Sequence, residues 1–530
     1  MTIANLADLA RTHARERGDH PALTSRDETW TYARLDSDSS RIGQGLRAAG
    51  VAAQDRVAFL DKNAPEYFTF LLGAGKVNAV TVAVNWRLAP PEMEYILEHA
   101  EAKVLLVGRE FLPHLEKMRL PTVRQVVVLE SGAVAGATAA AAPLPARAVT
   151  FQSWLESFPA TDPGADPAPD DTCYQLYTSG TTGLPKGVEL TNRNFFSMLP
   201  AGSAEWGFDA SSVNLVAMPL FHIAGSGWGV VALWNGAHSI LLREVDPAEV
   251  LRVIGRYRIT IALLVPAALQ IVLQTPGVET TDFSSLRTMV YGASPITEAV
   301  LVKAMRTMGC GFMQAYGLTE TTGGVTVLRP EDHDPDGPRA KLLRSAGQPW
   351  GDVELRVIDP ETLADLPDGQ VGEILVRSVQ NMKGYWKMPE ATAKVFLDGG
   401  WLRTGDAGYL DDGYLFIHDR VKDMIISGAE NIYPAEIENV LMSHPAVADC
   451  AVIGVPSERW GETVKALVVA ASGQDPSAEE LIDYCRERLA HYKCPTSVDR
   501  LERIPRNPSG KILKTELREP YWKGERRFVR

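Results

Sequence analysis

At 530 residues the chain is too long for a single hydrophobic core, so at least two domains are expected. A hydrophobic share of 45% and a charged share of 22% suit a soluble globular protein, and the nearest approach to a spanning segment, Val230 to Leu242, is interrupted by Asn235, Gly236 and His238. The net charge of -13, with no basic block to offset it, argues against nonspecific nucleic-acid binding and leaves any anionic ligand to a local site.

Met1 to Leu23 reads as an amphipathic helix of mixed charge, without the apolar run of a signal peptide. Strand-like runs then alternate with helical patterns: Arg56 to Leu60, Ala102 to Val107, Gln125 to Leu129, Val213 to Met218 and Thr260 to Val265. That alternation predicts an α/β fold, a large N-terminal domain of layered, mostly parallel sheets with helices. Two biased stretches, Ala-rich Gly132 to Ala148 and the Pro-, Asp- and Ala-rich Pro159 to Asp171, read as surface connections. Five scattered cysteines show neither metal-ligand spacing nor a paired framework and suit a reduced cytoplasm.

The most informative stretch runs from Tyr177 to Gly187, with Thr178, Ser179, Gly180, Thr181, Thr182 and Gly183 ahead of Lys186. Glycines let backbone N–H groups approach an anion closely, and the hydroxyls add donors that turn to suit it. The spacing is not that of a Walker A loop, in which the lysine is followed directly by Ser or Thr and a helix. Here the flanks, Cys173 to Tyr177 and Gly187 to Leu190, are strand-like, and the helix signal waits until Thr191 as N-cap. The loop therefore reads as a phosphate-wrapping flap between two strands.

Further on stand Pro219-Leu220-Phe221-His222 at a strand-to-helix junction, then Tyr316 to Glu320, then Thr404-Gly405-Asp406. After Gly347 the pattern changes to short strands and tight turns, such as Val353 to Val357 and the hairpin Asp411-Asp412-Gly413, which predicts a small β-rich subdomain. From about Asp423 a compact α+β unit begins, with helices at Pro434 to Met442 and Ser477 to Leu489, and the chain closes its motif series with Pro505 to Lys511. The predicted division is residues 1–420 for the large domain and 421–530 for a small, mobile α+β C-terminal domain.

These strings, in this order, resemble the acyl-adenylate-forming superfamily, which includes acyl-CoA synthetases, firefly luciferase and peptide-synthetase adenylation domains. The resemblance covers nearly the whole chain and implies an AMP-forming acyl-CoA synthetase. Such an enzyme joins a carboxylate to the α-phosphate of ATP, releases pyrophosphate, and passes the acyl group to a thiol. It implies ATP, Mg²⁺ and CoA as cofactor and co-substrates. By this resemblance the loop from Thr178 through Lys186 holds the β- and γ-phosphates, and Lys511 bridges carboxylate and α-phosphate. Thr319 contacts the α-phosphate, and Glu320 with Thr178 holds the metal, since a hard cation prefers oxygen ligands. Gly292, Ala293, Ser294, Gln314, Ala315, Tyr316 and Gly317 border the adenine, with Tyr316 stacked on it, while Asp406 and Arg420 take the ribose hydroxyls. His222 gates and positions rather than acting as a general base. Lys422 stands at the family's hinge, and Gly428, Trp460 and Lys493 stand where CoA is contacted.

The acyl pocket implied is Ile223, Trp228, Val265, Ala315 and Gly323, with none of them charged. The very small run Ala224-Gly225-Ser226-Gly227 suggests an open pocket. A hydrophobic acid follows, a medium- to long-chain fatty acid being favoured over an aryl or aryl-alkanoic acid. An acyl-AMP ligase that loads a carrier protein and, more remotely, a non-catalytic nucleotide-binding protein stay as alternatives. The expected partners are small molecules, with no nucleic acid and no transmembrane segment, in a cytoplasmic protein whose oligomeric state is left open, a homodimer included.

Overall fold

A computed structural model describes residues 3–130, 144–145, 147–178, 184–294, 296–420, 423–427, 430–457, 459–507 and 510–522. The first helix is shorter than the sequence suggests. Asn5 caps Leu6–Arg17 by accepting from Asp8 N, and after Gly18 the chain turns into the strand Pro21–Ser25. Pro21 cannot sit inside a helix, so the amphipathic pattern ends before it.

Among the described residues the strands form four sheets. In the first, Pro21–Ser25, His238–Leu241, Val213–Val216, Ile261–Leu264, Thr288–Gly292 and Gly311–Leu318 run parallel, with antiparallel Gly323–Leu328 beside the last. In the second, Thr172–Thr178, Val80–Ala83, Arg56–Leu60, Val104–Gly108 and Gln125–Leu129 run parallel, and Lys186–Thr191 and Gly384–Tyr385 extend one edge antiparallel. Strands such as Arg56–Leu60 and Val104–Gly108 are buried along their whole length, as sheets covered on both faces require.

The main core lies around these sheets and the helices Tyr32–Ala48 and Pro65–Gly75, the latter burying Tyr67, Phe68, Phe70, Leu71 and Leu72 completely. Beyond its end, Lys76 is wholly buried, its Nζ 2.5 Å from Asp36 and 3.3 Å from Asp162. Two carboxylates offset the cost of burying that ammonium. Asp162 also accepts from Arg11 at 2.9 and 2.8 Å. Burial raises the Asp162 pKa, but the Arg11 hydrogen bond and the Lys76 charge outweigh it and hold the carboxyl at about 2. The stretch Pro159 to Asp171 is therefore fastened to the body by ion pairs, not merely a surface connection. Most of the Ala-rich patch lies outside the described residues.

The third sheet is antiparallel, built on Glu354–Ile358, Gly372–Arg377, Trp401–Asp411 and Tyr414–Arg420. Asp412 and Gly413, with φ of 52° and 77°, make the left-handed turn that a two-residue hairpin needs. The fourth sheet pairs Ile425–Ser427, Glu430–Ile432, Val447–Ser457, Gly461–Ala470 and Ser497–Arg500. Ile425, Ile437, Leu441, Val452, Val464 and Leu481 give it a core of its own. Its helices are Pro434–Met442 and Ala478–Arg486, with Ser477 as a capping-box residue rather than the first turn. Among the described residues no helix is long and apolar enough to cross a membrane.

Candidate active site

Most of the singled-out segments of residues 1–420 follow the carboxyl ends of parallel strands. The phosphate-loop candidate follows Thr172–Thr178, and His222 follows Val213–Val216. Val265, Ala293 and Thr319 follow Ile261–Leu264, Thr288–Gly292 and Gly311–Leu318. That end of an α/β sheet is where ligands collect, because the connecting loops rather than the strands offer free groups.

Ser179, Gly180, Thr181, Thr182 and Gly183 lie outside the described residues, but their frame is clear. The flanking strands pair from Thr172 with Thr191 to Thr178 with Lys186, so the loop spans paired strand ends as expected. Thr191 caps the helix Asn192–Phe196 by accepting from Asn194 N. Beneath the loop, Tyr177 shares a 2.8 Å hydrogen bond with His99 Nδ1, and the Trp386 indole donates to His99 O at 3.1 Å. The buried pair Arg56–Glu189, 2.8 Å apart, braces the same strands while Arg56 lies 3.2 Å from the Trp386 ring centre.

Lys186 Nζ sits 4.7 Å from the ring centre of Tyr385, whose hydroxyl donates to Glu320 Oε1 at 3.0 Å. Tyr385 thus joins the loop lysine to the candidate metal carboxylate. Sequence reading missed it, although Gly384-Tyr385-Trp386 was a visible aromatic pair after a glycine. A two-residue strand has no periodicity, and only its pairing with Lys186–Thr191 carries it into the site. Glu320 stands in the 3₁₀ turn Thr319–Thr321, which Thr321 Oγ1 closes by accepting from Leu318 N and donating to Gly323 O. The turn is so tight that a Cβ at Gly317 would lie 1.8 Å from Gly323 O, so only glycine fits.

On the other side of this turn, Tyr316 donates to Asp406 Oδ2 at 2.8 Å. Asp406 is buried, its N–H bonded to Thr404 Oγ1, and it faces Arg420 across the ladder Trp401–Asp411 and Tyr414–Arg420. The Arg420 side chain is outside the described residues. Gly292 pairs with Ala315, where a Cβ would come 2.0 Å from Ala315 O, and Ala293 follows in the left-handed region at φ 64°. A non-glycine residue there is strained, a pattern concentrated at functional sites. Gln314 Oε1 is buried with no partner among the described residues.

His222 is the N-cap of the helix Ile223–Trp234. Its Nε2 is buried without a partner among the described residues, and burial, reinforced by the Arg87 cation, pushes its pKa down to about 4. The imidazole is therefore neutral at physiological pH. Arg87, exposed and 4.6 Å from the Trp86 ring centre, is a second residue that the sequence reading passed over.

The small run beyond His222 does not open a pocket, contrary to expectation. A Cβ at Gly225 would strike Pro219 O and Met218 O at 2.3 and 2.5 Å, and one at Gly227 would come 3.0 Å from Ile223 Cδ1. Ser226 is fully buried and bonds His222 O. These residues are small because backbone and helix pack against them. Trp228, one turn on, is buried in a cluster with Trp206 and Phe208, at ring distances of 5.7 and 4.9 Å.

Lys511 lies on a turn held by Asn507: Lys511 N donates to Asn507 Oδ1 and Asn507 N donates to Lys511 O. Neighbouring Gly510, at φ 82°, faces the large sheet region, where a Cβ would meet Ala267 Cβ at 3.4 Å and Val265 Cγ2 at 3.8 Å. The fold thus brings Gly510, the neighbour of Lys511, beside Val265 of the predicted acyl wall. Lys422 and Gly428 lie outside the described residues. Trp460 is 47% exposed with Arg459 over its ring, but Lys493 is committed to both oxygens of Glu436 at 2.8 Å, which spends the charge expected to meet CoA.

Among the described residues no cluster of three or more His, Cys, Asp or Glu side chains could cage a metal. A single carboxylate such as Glu320 is the donor set that suits Mg²⁺ carried in on phosphates, so the residues fit that ion.

Comparison with known proteins matches residues 10–386 to the AMP-binding enzyme family and 436–511 to the AMP-binding enzyme C-terminal domain. The chain is 41% identical over 534 residues to the fatty acid–[acyl-carrier-protein] ligase ScoC of Streptomyces coeruleorubidus, covering 99% of this chain and 98% of that one. It is 39% identical over 493 residues to a feruloyl-CoA synthase of Amycolatopsis, covering 93% and 94%. The crystal structure of the anthranilate CoA ligase AuaEII with anthranoyl-AMP superposes with a TM-score of 0.87 at 29% identity, covering 98% and 97%.

Proposed function

Because this chain belongs to the AMP-binding enzyme family and is an acid–thiol ligase, we propose that it makes the CoA thioester of a hydrophobic acid, charged only at its carboxylate, in two steps. In the first, a carboxylate oxygen bonds to the α-phosphorus of ATP while the bond to the bridging oxygen breaks and pyrophosphate leaves. In the second, the CoA sulfur bonds to the acyl carbon and AMP leaves. The observation that carries this reading is the pair of hydrogen bonds Tyr385–Glu320 and Tyr316–Asp406, which gather distant motifs around the turn at Thr319.

In this reading Lys186 and the loop from Thr178 hold the outer phosphates. Tyr316, Gln314 and Gly292 to Ser294 bind adenine, the unpartnered Gln314 Oε1 accepting from its amino group. Asp406, oriented by Tyr316 and Thr404, takes the ribose with Arg420. Lys511 supplies positive charge where carboxylate and α-phosphate meet, the place where such charge stabilises the transition state. Mg²⁺ held by Glu320 and Thr178 would neutralise phosphate charge. Neutral His222 lines the acid's path without taking its proton.

We infer a large domain of residues 1–420 and a small domain of 421–530 that turns about Lys422, so that Lys511 serves the first step and Gly428 the second. Trp460 is a candidate contact for the CoA nucleotide. A carrier-protein thiol is a second acceptor reading, favoured by the 41% likeness to an acyl-carrier-protein ligase and by the neutralised Lys493. Pyrophosphate release over an acid panel, with CoA, with a phosphopantetheinylated carrier protein and with neither, tests both. Release with no acid would overturn the adenylation reading, and thioester on the carrier alone would replace CoA as acceptor.

A further inference from the structure

Tryptophan backs the predicted acyl wall at Ala315 and at Gly324, the neighbour of Gly323. Trp206 ends the helix Leu199–Trp206 and Trp228 lies on Ile223–Trp234, and they are 6% and 5% exposed. Trp206 packs on Trp228 at 5.7 Å and on Trp350 at 5.6 Å, and Trp350 is itself pinned by donating to Gly324 O. The Cζ2 edge of Trp206 comes 3.7 Å from where a Gly324 Cβ would stand, and Ala315 Cβ lies 3.6 Å from the same point. The indole therefore shuts the space directly behind Ala315 and Gly324. Nearer His222, Ile223 Cγ1 is 3.8 Å from the corresponding point on Gly323. From His222 to Trp228 is six residues, about 9 Å along the helix axis.

Behind the same indole is a second space, a recess of about 330 Å³ lined by Trp206 together with Glu205, Met313, Arg329 and Glu331. Arg329 and Glu205 bridge it at 2.7 Å. Trp206 thus stands between the predicted acyl wall and an outer recess that opens to solvent.

We propose that Trp206 is the specificity-determining floor of the acyl pocket, so that the enzyme takes a compact acid, short or monocyclic, and rejects long alkyl chains. The proposal rests on the adenylation reading above and replaces the longer chains that the sequence favours. A long chain would have to displace an indole wedged between two others, and packed interiors resist such displacement.

The test is pyrophosphate release by the wild type, Trp206→Ala and Trp206→Phe over butanoate, hexanoate, octanoate, dodecanoate and benzoate. The wild type is expected to lose about 10-fold or more in kcat/KM between hexanoate and dodecanoate, the scale on which a filled apolar pocket discriminates. Trp206→Ala joins pocket and recess and should raise dodecanoate turnover until the two acids are equal, while Trp206→Phe, which keeps most of the ring, should shift the cut-off only partly. Equal use of hexanoate and dodecanoate by the wild type overturns the proposal. So does an unchanged cut-off in a Trp206→Ala protein of normal melting, or, should that variant not fold, in Trp206→Phe. Release with no acid at all counts against adenylation itself and removes the proposal with it.

Discussion

The proposed nucleotide side and the proposed acyl side of the site are built from different physics. On the nucleotide side, polar atoms from distant strands meet in pairs, as in Tyr316–Asp406 and Tyr385–Glu320, and glycines such as Gly317 appear where backbone crosses backbone. On the acyl side, apart from the His222 cap, shape comes from packing: Gly225, Gly227 and Gly229 let helix and core close up, and indoles fill what is left. A hydrogen-bonded site fails by losing charge or alignment, whereas a packed one fails by changing volume. The two sides should therefore answer differently to mutation, activity falling on one and melting or substrate range moving on the other.

The largest effect is expected from Lys511→Ala. Loss of an electrostatic contact to the transition state should cut acyl-adenylate formation by ~10²-fold or more. Thioester formation from supplied acyl-adenylate should survive, because the proposed second pose takes Lys511 away from that step. Separate single-turnover assays of the two half-reactions measure this, and equal loss in both would undo the division of labour between poses.

Next in size is Tyr385→Phe, which removes one oxygen and leaves the ring beneath Lys186. A hydrogen bond to a charged group contributes about 1.5–3 kcal/mol, so a loss of about 10-fold or more in kcat/KM for ATP is expected, with a higher Mg²⁺ requirement and unchanged melting. Metal titrations that superimpose on the wild type would detach Tyr385 and Glu320 from the phosphates.

The contrast also explains what could be read from the sequence. Nucleotide-side residues announce themselves because their chemistry is local: Tyr316 to Glu320 and Thr404 to Asp406 are short strings whose turns are fixed by their own glycines and hydroxyls. The two-sheet α/β body was legible too, since Arg56–Leu60 and Gln125–Leu129 are apolar runs of strand length bounded by polar residues. Val104–Gly108 starts two residues later than Ala102, although Lys103 already exchanges backbone hydrogen bonds with Arg56 and Arg124. Tyr385 escaped because it acts through a partner strand. Trp206 and Trp350 escaped because nothing in their neighbours says that they converge behind Ala315 and Gly324. The same blindness made Ala224 to Gly227 look like open space, when the missing volume is taken up by Met218, Pro219, Ile223 and Phe195.

A packing mutation sharpens the acyl side. A Cβ at Gly229 would stand 2.4 Å from Phe68 Cζ, in a core with nowhere for the ring to go. Gly229→Ala should cost about 1–3 kcal/mol of stability, the range for overpacking, and lower Tm while leaving KM for ATP unchanged in the protein that remains folded. Denaturant melts together with ATP saturation curves check this. A shift in KM without a shift in Tm would mean that the two sides are mechanically coupled.

The smallest effect concerns His222, a polar group at the mouth of the acyl side. Its pKa of about 4 lies below the ordinary histidine value because the buried ring resists charge and Arg87 opposes it. Between pH 6 and 8 the ring stays neutral, so kcat/KM for the acid should show no step there that His222→Gln removes. The folding equilibrium should show one lower down. From the unfolded value of about 6.5 to about 4 the unfolded chain binds a proton that the folded chain refuses, so this group makes stability fall as pH drops through that window and level off beneath it. His222→Gln keeps a polar side chain but cannot titrate, and should flatten that part of the slope. Urea melts of both proteins from pH 4 to 7 read the difference directly. Parallel slopes would mean that His222 is charged or solvated in the folded state, and the acyl side would then carry a polar mouth of the kind that builds the nucleotide side.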